Sequence, residues 1–493
     1  MLAAFVLACL ALACACALLH ARGRRARLML AHLPTYPCLP FIGNVHHVFG
    51  STDSLGRVVD EKQLPFVVWI GQVPAVRNDP EDVRTMSSAF VEKPFYYKFA
   101  KDWLGNGLVT GPGAIWKRSI KVVGGTFTSG VVAGFQDTFS VQATKLTTRM
   151  RSEVGHAEFD VLNKYLSYVT LETICHTALG CSDITGSIVT TEYYEAFIRT
   201  LELIIERGMN LITHVDFIYR LTPSYREFQK CVAVLHNVSK TVSLCVAYFA
   251  VYYREVGHSG VTCFRIGDRF KPYIDILLDM ENVDTVMTEQ QIRSEIDTII
   301  VAGQETVATG LFFALVIIGK RKDVQDKLYA EVKEVFGDST RAIEKEDQPR
   351  LQFCEAVILE ALRLYPPAPV VVREADHDLV LKSCTIPKGS HCGIHMWAAG
   401  RSKRAWGPDA EEFRPERWLE NGGSLGHPSS FLPFSSGKRS CIGRKYAIAL
   451  MKTIVAQVVR EFEITGEREE LALKMDIGLK PIRGHRIQVR LRE

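Results

Sequence analysis

Residues 1–19 are almost entirely apolar and carry no charged side chain. A helix rises about 1.5 Å per residue, so this run would span roughly 28 Å, close to the hydrocarbon thickness of a bilayer. Basic residues follow at once, at Arg22, Arg24, Arg25 and Arg27. Because positive charge marks the cytosolic flank of a membrane span, residues 1–21 are predicted to be a transmembrane signal-anchor, with the following chain in the cytosol. The alternative is a cleaved signal peptide, which would carry its positive charge before a shorter apolar core.

The segment after the anchor, residues 22–44, is a basic flank followed by a proline-rich stretch with Pro34, Pro37 and Pro40. Proline cannot continue a helix, and it stiffens the chain. We therefore expect a spacer that fixes the body of the protein, residues 45–493, against the membrane surface. An ordinary loop is the alternative interpretation.

The body combines two periodicities. Apolar residues alternate along Phe66–Val76, which predicts a β-hairpin. From about residue 80 to 365 the pattern is mainly helical, with predicted breaks at Gly105–Gly113, Gly180–Gly186 and Gly257–Gly260. Strand patterns return at Leu379–Leu381, Thr385–Ile386, His391–Ile394 and Ile487–Leu491. The expected fold class is mainly α (α+β), a single helix-rich catalytic domain with small β-sheets.

Composition narrows the function classes. The chain has 493 residues, a formal net charge of +4 and 13 cysteines. Such a small excess of positive charge argues against a dedicated nucleic-acid-binding protein. The cysteines form no C-x-x-C pair, which leaves a structural zinc site with little support. Three of them (Cys9, Cys14, Cys16) lie in the apolar N-terminus, so the question is whether one of the others is chemically active.

One cysteine stands in a chemically distinctive place. Cys441 lies just before a predicted helix, Arg444–Val459, whose N-terminal dipole and free N–H groups favour a thiolate. Gly437 and Gly443 would let the backbone approach a flat ligand closely, and Arg439 can pair with an anionic group on that ligand. This set suits a thiolate that ligates haem iron. A buried, inert cysteine at a helix start is the structural alternative.

A second candidate is the pair Glu360 and Arg363, which share one face of a predicted helix. Arg417 could join them in a buried network, which would be costly unless every polar group found a partner. Read alone, such a pair is equally typical of a solvated helix face.

The third candidate is a helix that begins with a capping box at Thr288 and runs to about Ile318. Ala302, Gly303 and Thr306 share one face of it, where two small residues would leave a gap beside a hydroxyl. Glu305 supplies an acid next to them. Activation of oxygen on iron needs such room and a proton route. A packing notch in a buried helix is the structural alternative.

Together the three segments resemble the cytochrome P-450 family, the haem-thiolate monooxygenases, over essentially the whole chain. The family's haem loop, Phe-x-x-Gly-x-Arg-x-Cys-x-Gly, is matched at every fixed position from Phe434 to Gly443. The resemblance implies the cytochrome P-450 fold and haem b as cofactor, with Cys441 as the axial ligand of the iron. It also implies that Glu360, Arg363 and Arg417 form a structural network that serves folding and haem retention. The cofactor-binding set that it implies comprises Cys441, Arg439, Trp116, Arg373, Phe434, Gly437, Gly443, Ala302 and Gly303.

The resemblance also implies which residues are catalytic, and it shows positions at which this chain differs from the family's pattern. Thr306 and Glu305 match the family's oxygen-activating acid–threonine pair and are the expected catalytic residues. The family's Trp-x-x-x-Arg places an arginine on a haem propionate, whereas this chain has Ile120 four residues after Trp116; Lys121 or Lys117 is the expected substitute. Some members carry a glutamate, ester-linked to haem, where this chain has Ala302. We therefore expect haem to be held non-covalently apart from the bond between Cys441 and iron.

Three stretches are similar to the branch of the family that contains fatty-acid ω-hydroxylases and many insect enzymes: Trp103–Leu108, Glu295–Thr298 and Cys441–Ala447. The anchor and spacer resemble those of microsomal members, which implies the endoplasmic reticulum membrane with the catalytic domain on its cytosolic face. The implied partners are the lipid bilayer, an NADPH-dependent flavoprotein reductase, cytochrome b5 and a lipophilic substrate such as a fatty acid, terpenoid or xenobiotic. Six basic residues form either a docking face for the reductase or a merely solvated surface. They are Lys117, Arg118, Lys121, Lys438, Arg444 and Lys445.

Two other functions stay open from the sequence. One is a haem-thiolate isomerase or peroxygenase that needs no reductase, against which Thr306 and the predicted anchor argue. The other is a membrane-anchored protein that binds haem or a hydrophobic ligand without turnover, for which Ile120 is the best support.

Overall fold

The computed structural model describes residues 23–39, 43–44, 65–70, 73–77, 80–180, 190–256, 288–420 and 430–492. The predicted signal-anchor, residues 1–21, lies outside the described residues. So do the predicted hairpin turn at 71–72, the break at Gly257–Gly260 and most of the break at Gly180–Gly186.

Helices make up most of the described chain, as the sequence pattern predicts. In chain order they are α1 (Pro80–Ala89), α2 (Lys101–Leu104), α3 (Gly113–Val123), α4 (Ser129–Gly134), α5 (Gln136–Met150), α6 (Ser167–Thr177), α7 (Thr191–Met209), α8 (Asp216–Arg220), α9 (Pro223–Val256), α10 (Glu289–Lys320), α11 (Lys322–Phe336), α12 (Gln352–Leu364), α13 (Met396–Ala399), α14 (Lys403–Trp406) and α15 (Arg444–Glu461). Short 3₁₀ turns occur at Phe95–Ala100, Gly124–Phe127, Arg151–Glu153, Leu211–His214, Gln348–Arg350 and Pro415–Trp418, and a π turn at Leu162–Leu166.

The strands form four small sheets. They are β1 (Phe66–Ile70), β2 (Val73–Arg77), β3 (Val370–Glu374), β4 (Leu379–Val380), β5 (Thr385–Ile386), β6 (His391–His395), β7 (Phe462–Gly466), β8 (Ala472–Met475), β9 (Leu479–Arg483) and β10 (Ile487–Leu491). The largest sheet has the order β1-β2-β6-β3, with β2 and β6 parallel and the other pairs antiparallel. The other three are the pairs β4–β5, β7–β10 and β8–β9.

The centre of the helical core is α10, which packs against α6, α12, α15 and β7. Its N-terminus is capped as predicted, because the Thr288 hydroxyl accepts the N–H of Gln291 at 3.2 Å. Among the described helices it is the only one long and apolar enough to cross a membrane. Most of its residues are buried inside the protein, so its apolar composition reflects its place in the core.

The described part of the predicted spacer packs on the body rather than standing away from it. Residues 23–29 are helical, and Arg25 forms an ion pair with Asp378 at 2.5 Å. Further on, the Pro34 carbonyl accepts the N–H of Val67 at 3.0 Å, and Asn44 accepts the N–H of Trp69 at 2.6 Å. The segment is therefore held along the edge of the largest sheet.

The sequence pattern located the hairpin, β4 to β6, β10, and the helices α10 and α15 to within a few residues. It missed β3 and the run β7 to β9. β3 has the sequence Val-Val-Val-Arg-Glu, in which apolar and polar residues do not alternate. β7 begins directly after α15, so no turn residues mark where the helix ends and the strand begins.

Candidate functional site

The loop that carries Cys441 is closed on itself by the Cys441 N–H, which donates to the Phe434 carbonyl at 2.8 Å. Ser435 has a positive φ of 58°, a conformation that is uncommon for a residue other than glycine. The loop delivers Cys441 two residues before the Gly443 cap of α15, as the sequence predicts. The Cys441 side chain is exposed, yet it lies deep enough among protein atoms for burial to act on its thiol.

The electrostatics of Cys441 differ from the simplest expectation. Burial raises the pKa of the thiol, and the Gly443 N–H and the Arg444 charge oppose that rise only in part. The helix N-terminus therefore does not by itself favour the thiolate, because desolvation of the charged form outweighs it. A bound cation at the sulfur would supply the missing stabilisation.

The two glycines of the loop have different surroundings. Gly437 has a positive φ of 73°, and a Cβ there would lie 2.2 Å from the Ser87 carbonyl oxygen of α1. Packing on α1 therefore accounts for Gly437, and this contact gives no support to its predicted role beside a flat ligand. At Gly443 a Cβ would meet only the Cys441 sulfur, at 3.8 Å. Gly443 thus leaves space on the side of the thiol, as we expected.

Arg439 is only 9% exposed and points away from the surface. Its guanidinium donates to the carbonyls of Leu108 at 3.2 Å and Gly111 at 2.6 Å, and lies 5.0 Å from the centre of the Trp116 ring. Its Nε has no hydrogen-bond partner among the described residues. Burial lowers the pKa of Arg439 to about 10, with a further contribution from Arg373.

Arg373, on β3, is 2% exposed and reaches the same place. Its Nη2 donates to the Arg439 carbonyl at 3.4 Å and its Nη1 to the Val372 carbonyl at 3.1 Å, while its Nε is also unpartnered. Burial lowers the pKa of Arg373. No described carboxylate lies within ion-pair distance of either arginine, and the charge of Glu92 offsets the lowered pKa of Arg439 only in part.

The third predicted segment is the middle of α10. Ala302 and Thr306 are exposed although the residues on either side of this turn are mostly buried, so this face of the helix lines an internal space. The Thr306 hydroxyl donates to the Ala302 carbonyl at 2.7 Å. Gly303 does not contribute to the predicted gap, because a Cβ there would lie 2.7 Å from the Ile174 side chain of α6. Packing against α6 explains why position 303 is a glycine, whereas Ala302 and Thr306 lie on the exposed face of the helix.

Glu305 is half-buried beside Thr306, and burial raises its pKa, opposed by the charge of Lys480. It makes no hydrogen bond or ion pair to a described residue. A direct hydrogen bond between Glu305 and Thr306 is therefore absent from the described contacts.

Glu360, Arg363 and Arg417 meet in the buried network that the sequence suggested. Arg363 donates two hydrogen bonds of 2.8 Å to Glu360, and Arg417 donates one of 2.9 Å. The Trp418 indole N–H and the Arg414 backbone N–H also donate hydrogen bonds to the Glu360 carboxylate, at 2.9 Å each. Every oxygen lone-pair direction of Glu360 is thus used, which is the condition for a buried charge to be tolerated.

Two expected residues lie elsewhere. Lys117 and Lys121 are exposed on α3 and contact no described acid, whereas Ile120 shares the face of Trp116. Sequence reasoning gave no role in the site to Glu295, whose carboxylate accepts the Leu108 N–H at 3.0 Å and so fixes the loop that holds Arg439. A single acid gives no sequence signal for a contact with a backbone N–H so far away in the chain.

The residues present fit haem. The described residues contain no group of three or more His, Cys, Asp or Glu side chains that could hold a bare metal ion. A single thiolate ligand suits a metal that is carried in a macrocycle. The unpartnered Nε atoms of Arg373 and Arg439 fit the carboxylates of such a group. The open space beside Gly443 and the exposed side chain of Ala302 leave room for such a group.

Comparison with known proteins agrees with this geometry. The family model for Cytochrome P450 matches residues 39–486. The chain is 27% identical to Cytochrome P450 4g15 of Drosophila melanogaster, with 94% of this chain and 92% of that protein covered. It is 31% identical to Cytochrome P450 4V2 of Mus musculus (87% and 83% covered) and 29% identical to Cytochrome P450 4c21 of Blattella germanica (94% of each).

Proposed function

The chain belongs to the cytochrome P450 family, and on that premise we propose that it hydroxylates a lipophilic substrate at the cytosolic face of the endoplasmic reticulum membrane, with electrons from NADPH delivered by a flavoprotein reductase. It is a cytochrome P450 monooxygenase of the branch that the sequence indicated. The observation that carries the proposal is the exposed Cys441 thiol in a fully matched haem loop, together with the exposed Thr306 hydroxyl on the core helix α10.

The haem would be held by one thiolate and by buried cations. Cys441 would ligate the iron, Arg439 and Arg373 would pair with the propionates, and Trp116 would support Arg439 through its ring. Phe434, whose carbonyl closes the Cys441 loop, would flank the thiolate side. When bound, the group supplies an iron whose thiolate ligand favours cleavage of the O–O bond. Because Ala302 has no carboxylate, no ester link to the haem is expected.

Glu305 and Thr306 would handle the protons. Burial raises the pKa of Glu305, so its carboxyl holds a proton closer to neutral pH than an exposed glutamate does. The Thr306 hydroxyl is exposed to the internal space and can both accept and donate. With no direct hydrogen bond between them, water would connect the two groups.

Membrane contact is supported by an exposed apolar surface besides the predicted anchor. We define the apolar patch as seven exposed side chains around α8: Met209, Leu211, Ile212, Val215, Phe217, Ile218 and Leu221. Phe217 is 72% exposed. A contiguous patch of this kind is typical of a protein or membrane contact. A chain with a predicted membrane anchor would present this patch to lipid, and lipophilic substrates partition into lipid.

The reductase would dock near the thiolate side. Lys438, Arg444 and Lys445 are exposed around the Cys441 loop, and Lys117, Arg118 and Lys121 are exposed on α3. Charge on this face would steer an acidic partner, so the rate of reduction should fall as salt is raised. Cytochrome b5 could use the same face.

The test is turnover by the full chain in a bilayer with reductase and NADPH, on a panel of fatty acids, terpenoids and xenobiotics first screened for a substrate-induced spin-state shift. The proposal expects oxygen consumption that depends on NADPH and reductase, with hydroxylated product. Haem binding without any product would favour a non-catalytic binding protein. Turnover without reductase would favour an isomerase or peroxygenase.

A further inference from the structure

A row of aromatic rings leads away from the Cys441 loop. Phe434, whose carbonyl accepts the Cys441 N–H, lies 6.3 Å from Phe431 between ring centres. Phe431 meets Trp418 edge-on at 4.7 Å, and Trp418 lies 5.5 Å from Trp406. These separations are typical of rings in direct contact. The row therefore joins the loop of the predicted iron ligand to two indole side chains.

The two indoles have opposite electrostatic surroundings. The Trp418 N–H donates to the Glu360 carboxylate at 2.9 Å, whereas the Trp406 N–H donates to a neutral backbone carbonyl at 2.9 Å. The Arg363 and Arg417 guanidinium groups lie 5.0 and 6.0 Å from the centre of the Trp406 ring. Positive charge on an indole is stabilised by an adjacent carboxylate and opposed by adjacent cations. An electron is therefore lost more easily from Trp418 than from Trp406.

Two other oxidisable side chains near this loop are less suited to lose an electron. Trp116 lies 5.0 Å from the Arg439 guanidinium, whose charge opposes positive charge on the ring. Tyr446 must release a proton when it is oxidised, and its hydroxyl is hydrogen-bonded to the Thr177 hydroxyl at 3.0 Å rather than to a carboxylate. Burial also raises the pKa of Tyr446, which disfavours release of that proton. Of these three side chains, Trp418 is the one whose exchangeable proton faces a carboxylate.

We propose that Trp418 is a one-electron donor that protects the haem site when a hydroperoxide reacts there in the absence of substrate. The hydroperoxide takes up two electrons and two protons as its O–O bond breaks, which gives an alcohol and water. One electron comes from the iron, and the Trp418 indole supplies the other through Phe431 and Phe434. The protons come from solvent, and the oxidised indole keeps its N–H proton in the hydrogen bond to Glu360. The inference rests on the proposed ligation of haem by Cys441.

The test mixes the haem-loaded full chain with cumene hydroperoxide, without substrate or reductase, and freezes it for electron paramagnetic resonance. Protein made with ring-deuterated tryptophan identifies a tryptophan radical by its altered hyperfine splitting. We expect this radical in wild type, its loss in Trp418→Phe and its retention in the matched control Trp406→Phe. Phe431→Leu, which interrupts the row of rings, should lower the radical yield. The haem absorbance should bleach faster in Trp418→Phe than in Trp406→Phe.

Peptide mapping of wild type gives a readout that does not depend on the folding of any variant. After repeated exposure to the hydroperoxide, oxidised tryptophan should accumulate at Trp418 ahead of Trp406 and Trp116. A wild-type radical on tyrosine, an unchanged radical in Trp418→Phe, or no preferential oxidation of Trp418 would overturn the inference and leave the proposed function standing. A wild-type protein that takes up no haem would overturn both.

Discussion

Thr306 and Thr298 make the same local contact with opposite surroundings. Each hydroxyl donates to the carbonyl four residues earlier in α10, at 2.7 Å in both cases. Thr298 is buried in the core, whereas Thr306 faces the internal space beside Ala302. The difference in exposure separates a structural hydroxyl from one that can exchange protons with a bound molecule.

The variant Thr306→Ala should uncouple oxygen consumption from product formation, because the hydroxyl that passes protons is gone. We expect product per oxygen consumed to fall by as much as about 100-fold, the lower end of the range for loss of a proton-transfer group, while NADPH oxidation continues. The matched control is Thr298→Ala, which should keep the wild-type ratio. Unchanged coupling in Thr306→Ala would count against the relay.

Single residues were predictable from the sequence where the motif dictates chemistry, and less so where packing decides. Cys441 lies where its loop placed it, and Arg439 and Arg373 converge. Gly437 and Gly303 match the motif too, but their hydrogens face Ser87 and Ile174. A sequence shows that a side chain is small without showing what fills the space beside it.

At the scale of elements, α12 is joined to the segment Pro415–Trp418 through one carboxylate. The Glu360 side chain is completely buried, and Arg417 is 6% exposed. Arg417 also donates to the Asp409 carbonyl at 3.2 Å. The same side chain thus ties two parts of the core that are far apart in sequence.

The variant Arg417→Met should destabilise the protein by about 3–5 kcal/mol, because it leaves Glu360 buried with one cation fewer. Arg199→Met is the control: Arg199 contacts three carboxylates, but at 35% side-chain exposure its loss should cost at most about 1 kcal/mol. Chemical unfolding, monitored through the loss of haem absorbance, measures the stability of both variants. Equal costs would contradict the argument from burial.

The interface of α9 and α10 holds a neutral acid. Burial raises the pKa of Asp297 to about 8, and burial lowers the pKa of His236, whose Nε2 lies 3.7 Å from the carboxylate. The His236 ring also hydrogen-bonds the Trp103 carbonyl at 2.8 Å. Near neutral pH both side chains are therefore uncharged, and this contact is not an ion pair.

This acid predicts a pH dependence. Between about pH 4 and 8 the unfolded chain has ionised Asp297 while the native state keeps the proton, so the native state binds more protons and stability falls as pH rises. Asp297→Asn should remove this decrease in stability with pH. The thermal midpoint of the variant minus that of wild type should therefore increase from pH 5 to pH 8.

The control for this experiment is Asp323→Asn. A hydrogen bond from Arg321 lowers the pKa of Asp323 to about 2, so its contribution is lost only below about pH 4. Its midpoint should therefore parallel wild type between pH 5 and 8. Asp297→Asn behaving in the same way would show that Asp297 is ionised in the native state.

Elements with a clear period were predictable, and those without one were not. The capping box and long apolar repeat define α10, and alternation defines β10. β3 carries Arg373 into the site, yet its valine run has no period that separates a strand from a buried helix. Its strand identity depends on pairing with β6, a contact that the local sequence does not encode.

At the scale of the molecule, the apolar patch and the predicted anchor would hold the protein on one membrane surface. Side chains join the patch to the site region: Phe95 contacts His214 at 5.7 Å between ring centres, and Arg207 lies 4.4 Å from the Phe99 ring. The segment around α8 thus packs against the 3₁₀ turn at Phe95–Ala100. Substrate arriving from lipid would meet these aromatic residues first.

A tryptophan at position 217 should report lipid contact. In the full chain in vesicles, Phe217→Trp should add fluorescence that spin-labelled acyl chains quench, because the side chain enters the bilayer. Val141→Trp is the control, since Val141 is 52% exposed on α5 and lies outside the apolar patch. Both variants keep the same anchor, so equal quenching would contradict membrane contact by the patch.

The central claim is that Cys441 ligates haem iron as a thiolate. The most direct measurement is the absorbance of the reduced protein with carbon monoxide, for wild type and Cys441→His. Wild type should show the red-shifted band typical of thiolate ligation, and Cys441→His should lose it while the buried network of Glu360 still supports folding. A histidine-type band in wild type, or a thiolate-type band that survives in Cys441→His, would contradict the account.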